Sequence, residues 1–138
     1  MKKGLPYNTL RIVSIVLLII VALNALAAGY SFITDPSGAG LGITTVYLKP
    51  SAPFKDFFIP GLVLFVVNGL ASLAVAIAAI QKTKQYAVLV LLQGAVYVGW
   101  IAVQLIMVTA FHLLHLLIAF IGFLLIACGW LLMRWRVR

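Results

Sequence analysis

Four long apolar runs, separated by two short polar interruptions and one long one, make up almost the whole chain. Crossing the hydrocarbon core of a bilayer takes about 20 consecutive apolar residues as helix. The runs from about Ile12 to Ser31, Phe57 to Ile80, Tyr86 to Ala110 and Leu113 to Met133 each meet that length. Helix is predicted for all four, because an open strand cannot satisfy its backbone hydrogen bonds in lipid. The expected fold is therefore all-α and integral to a membrane: one domain, residues 1–138, forming a bundle of four transmembrane helices.

The interruptions set the connections. Thr34-Asp35-Pro36 ends the first run, since proline cannot continue a helix. Gln81-Lys82-Thr83-Lys84-Gln85 is a tight link, which makes the second and third helices antiparallel neighbours. Almost nothing polar joins the third run to the fourth. The segment between the first and second runs, about residues 34–56, is longer than most structureless connections and is expected to have structure of its own. Within it, Asp35-Pro36-Ser37-Gly38 has turn chemistry. Ile43 to Leu48 has strand composition. Ser51-Ala52-Pro53 can cap a helix that continues into the second span and kinks at Pro60-Gly61.

Composition agrees with lipid. Of 138 residues, 65% are apolar and 9% charged, where a soluble domain carries about 25% charge. The single cysteine, Cys128, excludes an intramolecular disulfide. A net charge of +8 raises the question of nucleic acid, but the basic residues sit in short clusters at the ends of the runs, as topology determinants do. No nucleic-acid partner is expected. Lys2, Lys3, Arg11, Lys82, Lys84, Arg134, Arg136 and Arg138 fall on one side, against Lys49 and Lys55 with Asp35 and Asp56 on the other. Positive charge stays inside, so both termini and the Gln81–Gln85 link are expected to be cytoplasmic. Lys2 and Lys3 before an apolar run, with Ala25-Leu26-Ala27 beyond it, also suit a signal peptide. The run continues to Ile33, however, so a retained first span is expected.

Candidate chemistry is sparse. The four spans hold no Asp, Glu, Lys or Arg, the groups on which proton-coupled transport relies. Gln93, Tyr97, Trp100 and Gln104 fall within roughly a 60° stripe of the third helix. Asn24 on the first helix and Asn68 and Ser72 on the second are expected to meet them. Two readings stand: hydrogen bonds between helices, or a polar cavity for a small ligand lined by Asn24, Asn68, Gln93, Tyr97, Trp100 and Gln104. Gly61, Gly69, Gly94, Gly99, Gly122 and Gly129 are expected at close helix contacts. On the outer side, His112 and His115 share a helical face near Asp35 and Asp56, the weak makings of a metal site. Asp35 equally suits a turn, and Asp56 the start of the second helix. No nucleophile and base are arranged for catalysis, and Gly38, Gly40 and Gly42 do not open a helix as a phosphate loop does. Enzyme activity is not expected, and no cofactor is indicated. The tail Arg134-Trp135-Arg136-Val137-Arg138 can meet anionic lipid headgroups or serve as a topology anchor.

One stretch is specific. Asp35-Pro36-Ser37-Gly38, Leu41-Gly42 and Ser51-Ala52-Pro53-Phe54-x-Asp56-Phe57-x-Ile59-Pro60-Gly61 together resemble a pattern in small bacterial four-helix membrane proteins whose function is not established. Ala52 interrupts the Ser-Pro pair of that pattern. The resemblance spans about a fifth of the chain. It implies a bacterial inner-membrane protein and carries over no activity, substrate or catalytic residue. The function expected from the residues is association, as a homo-oligomer or as a small partner in a membrane complex. The alternative is ligand or ion handling through the third-helix stripe and an outer His/Asp site.

Overall fold

The structure, a computed structural model, describes residues 7–37, 56–107 and 113–137. They form four helices: α1 (Tyr7–Thr34), α2 (Phe58–Ile80), α3 (Tyr86–Met107) and α4 (Leu113–Val137). All four contain stretches long and apolar enough to cross a membrane. The helices overlap the predicted spans and differ from them at the ends. The first helix begins at Tyr7, so the basic Arg11 lies inside it. At 28 residues it extends about 42 Å, more than the roughly 30 Å hydrocarbon core, which leaves room for Arg11 at the interface. The interior of the predicted loop, including the Ile43–Leu48 and Ser51–Pro53 features, lies outside the described residues.

The ends of that loop are held together. Asp35 accepts from the Ser37 backbone N–H (3.3 Å) and hydroxyl (2.6 Å), closing the turn that follows α1. The Phe57 N–H donates to the Pro36 carbonyl at 2.9 Å. The rings of Phe32 and Phe57 stack at 4.9 Å. Asp56 accepts from the Phe58 N–H at 3.0 Å, in the first turn of α2.

The kink expected at Pro60-Gly61 is absent there. Helix α2 starts at Phe58, so Pro60 occupies the first turn, where no intrahelical partner for its missing N–H is lost. The irregularity comes later. Residues Leu64–Leu70 form a π-helical segment, and the Ala71 N–H reaches back five residues to the Val66 carbonyl. At its other end α2 stops in a Schellman turn: Thr83 N–H bonds the Ala78 carbonyl and Lys82 N–H that of Ala79. Lys82 takes the left-handed conformation (φ 54°) that glycine usually supplies in this motif.

Glycines build two hairpins. A Cβ on Gly61 would lie 2.4 Å from the Phe32 Cβ, and one on Gly69 2.7 Å from a Leu26 methyl, so α1 and α2 are in close contact along their length. Between α3 and α4, Gly94 and Gly122 back onto each other's carbonyls, and Gly129 faces the Leu91 backbone. Gly99 departs from expectation: nothing lies within 4 Å of where its Cβ would be. The hairpins then join through α2 against α3 and α1 against α4. Leu10, Leu18, Ala79, Tyr86, Val90, Leu125 and Leu132 form the centre of that junction. The Tyr86 hydroxyl donates to that of Tyr7, and Arg11 donates to the Ala79 carbonyl at 3.1 Å. Arg11, Lys82, Lys84 and Arg134 thus gather at one end of the bundle, the basic end. Asp35 and Asp56 lie at the other, the acidic end.

The junction is one-sided. Burial along α3 stops at Ile101, beyond which Ala102, Val103, Leu105 and Ile106 are exposed. On α4 it begins only at Ile121, with Leu116, Leu117 and Phe120 exposed before it. Among the described residues, the hairpins therefore bury each other toward the basic end and leave these side chains exposed toward the acidic end.

Candidate functional site

The polar stripe of α3 does meet α2, in part. Ser72, at the start of the regular helix after the π segment, is fully buried and hydrogen-bonds the Tyr97 hydroxyl. The Gln93 amide donates both to Ser72 Oγ (3.1 Å) and to the Val67 carbonyl (2.9 Å). Val67 belongs to the π segment, where the widened turn displaces carbonyls from their ordinary helical partners. Gln93 supplies one of them with a donor from a neighbouring helix. In hydrocarbon that donor has no substitute from water.

Asn68 lies beside this network, 1% exposed, and its Oδ1 has no hydrogen-bond partner among the described residues. Trp100 and Gln104 continue the stripe toward the acidic end and are half-buried. Asn24 does not join them. The structure turns it to the exposed face of α1, away from Asn68, Gln93 and Tyr97. Leu26 packs on Gly69, the central residue of Phe58–Ile80, so Asn24 lies close to mid-span.

The network joins three hydroxyl or amide side chains and one carbonyl. It contains no carboxylate, imidazole or amine, and its one titratable group, the Tyr97 phenol, is tied to Ser72. Its physical capacity is to fix the register of α2 against α3. Sequence reasoning found Gln93, Ser72 and Tyr97 from their spacing and depth. It missed the Val67 carbonyl, because no side chain marks a π segment. It also missed the Tyr7–Tyr86 pair, although one tyrosine at the basic end of each of two runs was a visible signal.

The outer metal candidates are described only in part. Asp35 and Asp56 are each engaged in local backbone capping. His112 lies outside the described residues, and His115 takes its place in the first turn of α4. Among the described residues no three His, Cys, Asp or Glu side chains come together as a metal site. At the basic end, the Arg134 guanidinium lies over the Trp130 ring at 5.0 Å, a cation–π contact suited to an interfacial anchor. Arg138, the last residue of the tail, lies outside the described residues, and Arg136 falls in the final turn of α4.

These features define a class by architecture: an all-helical protein with four helices apolar enough to cross a membrane. Compared with protein-family models, with curated proteins and with solved structures, the chain matches none.

Proposed function

We propose that this chain is a multi-pass bacterial inner-membrane protein that works by association, either with copies of itself or as a small partner in a larger membrane complex, and not as an enzyme. The observation that carries this reading is the one-sided junction. Toward the acidic end, α3 and α4 leave Ala102, Val103, Ile106, Leu116, Leu117 and Phe120 exposed. Lipid can cover such a surface. So can another helix. The inward polar groups support the same reading, since Gln93, Ser72 and Tyr97 are hydrogen-bonded to each other or to the backbone and not held open for a substrate. Crosslinking in native membranes followed by purification in lipid nanodiscs is expected to give a discrete multimer or a stoichiometric partner. A chain that stays alone under both conditions would overturn the proposal.

The basic end is the cytoplasmic one in this reading, with both termini inside and anionic headgroups near Arg134, Arg136 and Arg138. A cysteine placed at Ser37 in a Cys128→Ser background is expected to react with an impermeant maleimide only from outside the inner membrane. Labelling from the cytoplasmic side alone would reverse the orientation.

One observation favours ligand handling as a second reading. The Asn68 Oδ1 is buried with no donor among the described residues, directly beside the network, and half-buried Trp100 and Gln104 lie toward the acidic end from it. A small donor molecule held there would complete its hydrogen bonding.

A further inference from the structure

Asn24 is the polar side chain the bundle does not use. Of the side-chain amides more than one turn inside the four spans, Asn68 and Gln93 are buried and Gln104 is half-buried, while Asn24 is exposed. It has no hydrogen bond to the described residues, in contrast to Ser14, Ser72 and Gln93. A Cβ on Gly69 would lie 2.7 Å from Leu26, two positions along α1 from Asn24. Gly69 is the middle of the 23-residue span Phe58–Ile80. Two residues of helix rise about 3 Å, so Asn24 lies within about 3 Å of the level of that mid-span residue. Neither water nor headgroups reach that depth, and an amide there finds hydrogen bonds only from another protein group.

The surface around it is built for a helix. Val13, Val16, Ile20, Leu23, Ala27 and Tyr30 are all exposed on α1. They recur at alternating spacings of three and four, the seam of a left-handed helix pair. Asn24 borders that seam, and Ala27 beside it permits close approach.

We infer that a second copy of this chain docks on this face, with Asn24 bonded to Asn24 of the second copy. The occupant follows from depth and chemistry. Copies inserted with the same orientation place equal residues at equal depth, so in a two-fold pair mid-span meets mid-span. A primary amide carries donor and acceptor together and is complementary to itself. The inference rests on the association reading and goes beyond it, naming a partner and a contact on α1, a surface apart from the exposed ends of α3 and α4.

Förster transfer between labelled copies in liposomes, over a range of protein-to-lipid ratios, tests it. Asn24→Leu is expected to weaken self-association about three- to fifteen-fold, the range spanned by membrane hydrogen bonds. Asn24→Gln is expected to retain most of it. Because the site is exposed, the helical content of each variant should match the parent. In a Cys128→Ser background, Asn24→Cys is expected to form a disulfide-linked dimer with copper phenanthroline, and Leu92→Cys, exposed on α3, is not. If the protein self-associates but Asn24→Leu does so equally, or Asn24→Cys does not crosslink, the inference falls and association stands. A monomeric parent that captures a different protein through Asn24 likewise overturns the inference alone. A monomeric parent with no partner at all overturns both.

Discussion

Replacing Gly94 with valine is expected to disrupt the α3–α4 hairpin, lowering the stability of the folded bundle by about 3 kcal/mol. The reason is what the new side chain would meet. A Cβ at Gly94 would stand 2.6 Å from the Gly122 carbonyl oxygen, 2.9 Å from the Ile126 nitrogen and 2.9 Å from the Leu125 Cβ. Two of these are backbone atoms of the opposite helix, and neither can rotate out of the way. The helices have to move apart, and the separation spreads to neighbouring contacts, Gly122 against Val98 and Gly129 against Leu91. In lipid, van der Waals contact between helices is a main source of association, because the surrounding tails are as apolar as the side chains. Gly99→Val provides the control. Nothing lies within 4 Å of its Cβ position, so that variant is expected to be neutral or slightly stabilising, as loss of a mid-helix glycine favours the helix. Reversible unfolding by steric trapping in bicelles measures both. Equal effects at the two positions would contradict the assigned packing.

The contrast between Gly94 and Gly99 also marks how much of the molecule is legible in its sequence. The number of helices and their approximate limits follow from run length and from Pro36 and the Gln81–Gln85 link, because hydrocarbon permits few alternatives. The gathering of basic residues at one end follows from the same runs. What does not follow is the direction each face takes. In water, a helix declares its inner face by an apolar stripe against a polar one. In lipid both faces are apolar, and that signal vanishes. Glycine and the occasional amide remain as clues, and both are ambiguous. Gly99 reads like Gly94 but is exposed, and Asn24 reads like Asn68 but points outward. The π segment in α2 adds a second obstacle. It widens one turn, changes which residues of Phe58–Ile80 face α3, and exposes the Val67 carbonyl to Gln93. Nothing in Leu-Phe-Val-Val-Asn-Gly-Leu announces it.

That carbonyl makes Gln93→Leu the second consequential substitution. Leucine preserves helix propensity and volume while deleting the donors to the Val67 carbonyl and Ser72 Oγ. A typical interhelical hydrogen bond in a membrane protein contributes about 0.6 kcal/mol. A buried acceptor left without a donor costs more, about 1–3 kcal/mol. Val67 falls in the second category if the π segment persists, so Gln93→Leu is expected to destabilise by about 2 kcal/mol. Tyr97→Phe leaves Ser72 with its Gln93 contact and is expected to cost about 0.6 kcal/mol. A double-mutant cycle between Gln93→Leu and Ser72→Ala, measured by the same unfolding method, should give a coupling energy of about 0.5–1 kcal/mol, because the two side chains share one bond. The sign of the single substitution carries the functional weight. Loss of stability fits groups placed to lock α2 onto α3, as the association reading requires of a rigid bundle. A gain in stability would mean that Gln93 is retained at the expense of the fold. Its purpose would then lie in a ligand near Asn68, and the second reading would displace the first.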